Sequence, residues 1–121
     1  NKNAGGRSLA SATMPYTGFI LLAFIIFHLM NFHFVDKTNT TIYQIVSSAF
    51  TDPIYVLIYV AAMIVAAFHV SHGFWSAFQS LGVHHPKWTP VIYGVGVLTA
   101  IVLAAGFLFL PIWIYFKGGA V

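Results

Sequence analysis

The sequence predicts an all-α fold: an integral membrane helical bundle of three transmembrane helices plus a short interfacial helix, forming a single domain over residues 1–121. Composition and patterning carry that prediction. The chain is 60% hydrophobic and only 6% charged, whereas a soluble domain holds about a quarter charged residues, and its mean hydropathy is +0.88. The apolar residues are gathered into long runs separated by short polar stretches, each run long enough for a helix to cross a hydrocarbon core of about 30 Å.

The same composition excludes other classes. The net charge of +3 comes from five scattered basic residues against Asp36 and Asp52, without the basic stripe that nucleic-acid binding needs. Cysteine is absent, so disulfides, zinc–thiolate sites and thiolate-ligated iron are excluded within this chain. No carboxylate falls inside an apolar run, no nucleophile has a base at usable spacing, and no phosphate-binding loop is present. Chemistry on a polar substrate is therefore expected in another subunit.

In chain order, 1–13 is polar, with Gly5-Gly6, Arg7 and a Ser/Thr cluster, and reads as a loop or interfacial segment. It has neither an initiator methionine nor a signal-peptide pattern, so residue 1 need not be the biological N-terminus. Span one is expected over 15–34, with Pro15 in the first helical turn, where its missing N–H is no loss. The segment 35–52 is polar, but Ile42, Tyr43, Ile45, Val46, Ala49 and Phe50 are spaced as one face of a short amphipathic helix on the membrane surface. Asp52-Pro53 closes it, because proline disfavours helix at the preceding residue and opens a new helix well. Span two is expected over 53–79. A loop with Gly82, His84-His85-Pro86, Lys87 and Trp88 leads to span three over 90–115, which Lys117-Gly118-Gly119 ends.

Tyr16, Tyr55, Trp88, Tyr93, Trp113 and Tyr115 lie near span ends, as interfacial anchors do. Lys2, Arg7 and Lys87 fall on one side and Lys37 and Lys117 on the other, a bias that places the N-terminal side and the 81–90 loop in the cytoplasm.

The unusual feature is a pair of histidines inside apolar spans, His28 in Phe24-Ile25-Ile26-Phe27-His28-Leu29-Met30 and His69 in Ala66-Ala67-Phe68-His69-Val70-Ser71-His72-Gly73. Such a histidine can simply hydrogen-bond a neighbouring carbonyl, but ionisable groups within a bilayer mark pathways and cofactor sites. His28 lies roughly 18 Å from the cytoplasmic edge at helical rise. His69 lies roughly 22 Å from the opposite edge, which leaves it nearer the cytoplasm by on the order of 10 Å. The two are therefore not expected to share a metal. Two stacked centres follow, each taking one imidazole from this chain and one from elsewhere.

Haem fits that arrangement better than zinc or copper, because neither histidine has a second ligand at i+3 or i+4 apart from His72. His72 shares a face with His69 and either joins it on one metal or, the favoured reading, meets a haem propionate or water near the interface. Gly73 lets a flat cofactor or a neighbouring helix approach. His33, near the outer end of span one, is placed to meet a quinone, a propionate or solvent. His84 and His85 read as a solvated loop pair, Gly18, Gly94, Gly96 and Gly106 as helix-packing positions, and the twelve phenylalanines as lipid-facing or core residues.

Two stretches carry a family resemblance: Met14-Pro15-Tyr16-Thr17-Gly18-Phe19-Ile20-Leu21-Leu22-Ala23-Phe24-Ile25-Ile26-Phe27-His28-Leu29, and Phe68-His69-Val70-Ser71-His72-Gly73-Phe74-Trp75-Ser76-Ala77-Phe78-Gln79-Ser80-Leu81-Gly82. They resemble the dihaem cytochrome b membrane anchor of succinate dehydrogenase and fumarate reductase, the respiratory complex II of the tricarboxylic acid cycle, in its bacterial five-helix form. The resemblance covers essentially the whole chain, which corresponds to the third, fourth and fifth helices of that family. It implies that His28 matches the third-helix ligand of the distal haem b and that His69, not His72, matches the fourth-helix ligand of the proximal one. It also implies electron transfer between a cytoplasmic flavoprotein subunit with its iron-sulfur subunit and a membrane quinone, usually menaquinone, in the bacterial cytoplasmic membrane.

Two departures accompany it. The first two family helices, with two ligands and much of the quinone site, are expected either in a longer subunit or in a separate polypeptide. Relatives also carry arginine just before the Thr-Met pair, where this chain has Ala12; Arg7 or Ser11 would then substitute toward a haem propionate. The rival expectations are a cytochrome b anchor of a hydrogenase or formate dehydrogenase, and a haem-free transporter component or assembly subunit.

Overall fold

The computed structural model describes residues 9–82 and 85–118, with side chains from residue 12 onward. Lys2, Arg7 and His84, and the side chain of Ser11, lie outside the described residues. Four helices run in the order α1 (Leu9–Phe32), α2 (Ile42–Ala49), α3 (Pro53–Ser80) and α4 (Thr89–Phe116). The described residues contain no strand, so the protein is all-α, and α1, α3 and α4 are each long and apolar enough to cross a membrane.

The helix ends follow from local chemistry. Thr41 caps α2: its side chain accepts from the Gln44 N–H at 3.2 Å, and the Gln44 side chain accepts from the Thr41 N–H at 3.0 Å. This is a reciprocal capping box. Asp52 caps α3 by accepting from the Ile54 N–H at 2.9 Å, with Pro53 in the first turn. Gly82 follows α3 with φ +76°, and Gly118 follows α4 with φ +77°, the left-handed conformation in which glycine closes a helix without Cβ strain. Past the end of α1, the Lys37 ammonium donates to the His33 carbonyl at 2.6 Å, which places positive charge where the helix dipole favours it. In the same loop Asp36 accepts from the backbone and side chain of Thr38, which holds its carboxyl below the usual aspartate range.

Span one departs from its expected limits. Pro15 does not open α1 but sits inside it, and the helix ends at Phe32 rather than at residue 34. Proline in a helix interior forfeits one i to i−4 bond, here the one to the carbonyl of residue 11, and the helix continues through it. The 53–79 and 90–115 expectations match α3 and α4 to within one residue at each end.

α3 is the central element, packed against both α1 and α4, while α2 folds back against α1. Toward the α2 end, Phe50, Val56 and Tyr59 are buried, with Phe24, Phe27, Phe32 and Val46 packed around them. Tyr59 is met edge-on by Phe24 at 4.9 Å and by Phe50 at 5.0 Å between ring centroids. Between α3 and α4 the contact is closer, because small residues allow it: Ala62, Gly96 and Ala100 are all buried. Among the described glycines, Gly96 is the one whose added Cβ would clash with a neighbour, lying 2.7 Å from Phe74 Cδ1 and 3.2 Å from Phe74 Cβ. Gly94 and Gly106 have nothing within 4 Å of that position, so they are not packing glycines within this chain.

Gly96→Ala should lower the melting temperature of the purified protein, with overpacking costing about 1–3 kcal/mol, whereas Gly94→Ala and Gly106→Ala should not. Equal melting for all three variants would refute the close α3–α4 approach. Thr41→Ala should cost about 1 kcal/mol at α2, seen as faster amide exchange confined to 42–46.

Candidate cofactor site

Two cross-helix pairs place the histidines. The Thr17 hydroxyl lies 2.9 Å from Nδ1 of His69, and the Tyr59 hydroxyl lies 3.1 Å from Nδ1 of His28. α1 and α3 are therefore antiparallel neighbours in a single register. From Thr17 to His28 α1 rises about 16 Å, and from Tyr59 to His69 α3 rises about 15 Å. The two helices agree, so the imidazoles occupy two levels, further apart than the sequence-based offset. A metal bonded at about 2 Å to imidazole nitrogen cannot hold both.

At the level of His69, the ring is half-buried. Thr17 also reaches the Met14 carbonyl at 3.0 Å. Gly18 lies against the ring, where a Cβ would sit at an ordinary 3.5 Å from His69 Cε1. His72, on the same face and one turn nearer the 81–90 loop, is also half-buried, and neighbouring Gly73 faces the Met14 side chain.

At the level of His28, the ring is exposed within this chain and forms part of the wall of a 570 Å³ cleft. All four helices contribute to that cleft, and among the described residues lining it only His28 and Tyr59 carry polar side chains. Its room comes from Ala66 and Ala67 on α3 and Ala100 and Ala104 on α4. The volume lies within the range of small-molecule sites, about 300–1,000 Å³. Tyr59 is 6% exposed and is fixed by the surrounding phenylalanines, so its hydroxyl is a stationary partner for His28. One turn beyond His28, Asn31 Nδ2 is buried and makes no hydrogen bond to the described residues.

A flat, largely apolar prosthetic group with one axial imidazole fits this chemistry. The cleft is apolar, small alanines give it room, and His28 and His69 each use Nδ1 for a hydroxyl, which leaves Nε2 for a metal. No group of three or more His, Asp or Glu side chains gathers among the described residues.

The other histidines separate from these two. His33 is exposed beyond the end of α1 with its ring edge-on to Phe34. His85 is exposed, and its Nδ1 accepts from the Lys87 N–H at 3.1 Å, which shapes the loop. Lys117 lies 4.6 Å from the centroid of Trp113 and Lys87 5.5 Å from that of Trp88, pairings suited to the interface, where an amphipathic ring and a cation both sit comfortably.

Thr17 and Tyr59 were not singled out by sequence reasoning. The available signal was their polarity inside apolar runs, combined with antiparallel pairing of the first two spans, which brings each opposite a histidine. No protein-family model matches the chain, and no curated protein or solved structure matches it.

Tyr59→Phe should keep the aromatic packing and remove the hydroxyl partner of His28. Polar contacts of this kind within membranes contribute about 0.6 kcal/mol on average, so the expected fall in unfolding free energy is of that order. A loss of several kcal/mol would mean that Tyr59 serves the fold through something other than this contact.

Proposed function

We propose that this chain is a haem b-carrying membrane anchor that passes electrons between a cytoplasmic flavoprotein and iron-sulfur pair, of succinate dehydrogenase or fumarate reductase type, and a quinone of the bacterial cytoplasmic membrane, with menaquinone the expected partner. The observation that supports it most strongly is the pair of imidazoles at two levels, each with Nδ1 engaged by a hydroxyl and Nε2 left over. Two haem b groups, when bound, supply one-electron couples tuned by axial ligation and by the surrounding dielectric.

This chain's residues have distinct tasks in that reading. His28 and His69 would each hold one haem through Nε2, the nitrogen not engaged by a hydroxyl, and facing helices, from a longer subunit or a separate polypeptide, would supply the other ligands. The alanine-lined cleft beside His28 excludes water and keeps the local dielectric low. His72, with Arg7 or Ser11, serves the propionate end nearer the cytoplasm. The flavoprotein and iron-sulfur subunits meet the N-terminal side and the 81–90 loop, and the exposed apolar surfaces elsewhere meet lipid or the ligand-supplying helices.

The haem-free reading has its own support, since Tyr59 and Thr17 already satisfy one nitrogen of each histidine. A reduced-minus-oxidised spectrum of the purified assembly separates the two. The anchor reading expects b-type absorbance from two haems, and His69→Ala should remove one signal and leave the other, with His28→Ala doing the converse. Zero b-type pigment, or both signals surviving His69→Ala, defeats it. A hydrogenase or formate dehydrogenase anchor would give the same spectra, and the presence or absence of a covalent or tightly held flavin subunit in the co-purified complex decides between them.

A further inference from the structure

We infer that Thr17 is the positioning residue for His69: its hydroxyl accepts from the imidazole Nδ1–H and so fixes the tautomer in which Nε2 carries the lone pair offered to a metal. The inference rests on the proposed haem-anchor reading for the identity of the metal, but not for the tautomer.

The direction of the bond follows from counting protons. Thr17 Oγ1 lies 3.0 Å from the Met14 carbonyl oxygen, and a carbonyl only accepts, so the single hydroxyl proton is committed there. The remaining contact, at 2.9 Å to His69 Nδ1, then needs a proton from the ring. A doubly protonated imidazolium is disfavoured inside an apolar span, so the ring is neutral with its proton on Nδ1 and none on Nε2. Threonine suits the task because its branched Cβ restricts χ1, and the bond back to Met14 holds the rotamer that faces α3. At the other level, the Tyr59–His28 contact at 3.1 Å does not by itself fix which group donates.

An Nδ1–H partner raises the donor strength of Nε2 toward a metal, and losing such a partner typically costs 10–100-fold in metal affinity. A stronger imidazole donor favours the ferric form, so removing the acceptor should raise the midpoint potential of the centre at His69.

The test compares Thr17→Val, which keeps the shape and deletes the acceptor, with Thr17→Ser, which restores a hydroxyl. Both are made in the whole membrane assembly and followed by redox titration of the b-type absorbance. Thr17→Val should shift one of the two midpoints upward by about tenfold in the ferric-to-ferrous equilibrium, about 59 mV for a one-electron couple, or weaken haem retention at that level alone. Thr17→Ser should bring the midpoint or the retention back. Two unmoved midpoints in Thr17→Val, or a Thr17→Ser variant as impaired as Thr17→Val, overturns the inference.

Absence of b-type absorbance in the unmodified assembly would defeat the haem reading instead, and the tautomer is then read directly. Nitrogen-15 NMR of the full chain in lipid nanodiscs should show His69 protonated at Nδ1, and mixed tautomers in Thr17→Val. Protonation at Nε2 in the unmodified chain overturns the role of Thr17.

Discussion

Within hydrocarbon there is no water to satisfy a polar group, and that constraint organises this protein. Each backbone N–H and C=O must bond within its own helix, and each polar side chain placed at membrane depth must find a partner, on its own helix as Thr99 does at the Val95 carbonyl or on a neighbouring one. Thr17 with His69, and His28 with Tyr59, are the cross-helix solutions seen here. Both join α1 to α3, so the groups that are costly to bury also fix the register between those helices.

Cohesion elsewhere cannot come from the hydrophobic effect between helices, since lipid tails are as apolar as leucine. It comes from close packing. α3 meets α4 through Ala62, Gly96, Phe74 and Ala100, where small residues let the backbones approach. It meets α1 near α2 through interlocked rings around Tyr59. Between these regions Ala66, Ala67, Ala100 and Ala104 leave the 570 Å³ cleft beside His28. The bundle is thus tight at its α3–α4 seam and open next to an imidazole.

Much of this was legible in the sequence, and specific residues show where legibility stopped. The turn chemistry of Asp52-Pro53 marked the start of α3, and the apolar spacing from Ile42 to Phe50 marked α2, because caps and amphipathic periods are local properties. The capping box of Thr41 and Gln44 was equally local and went unread. Pro15 was misplaced because its preference for a first turn is only a tendency: helical residues from Leu9 onward precede it, and the helix tolerates one missing bond. On α4, Gly96 packs while Gly94 and Gly106 do not, a difference hidden in the sequence because it does not state which face of α4 meets α3.

By itself, then, the sequence determined three long apolar helices, a short amphipathic helix and two imidazoles at different levels, because hydropathy, length and helical rise are additive along the chain. The tertiary structure alone decided that Thr17 and Tyr59 are the partners of those imidazoles, that one histidine borders a cleft, and that Gly96 carries the α3–α4 contact. The physical reason is that α1, α3 and α4 are apolar nearly all the way round. In a soluble helix the polar face reveals the rotation. Here no face is polar, so rotation and register are set only by side chains meeting across the seams.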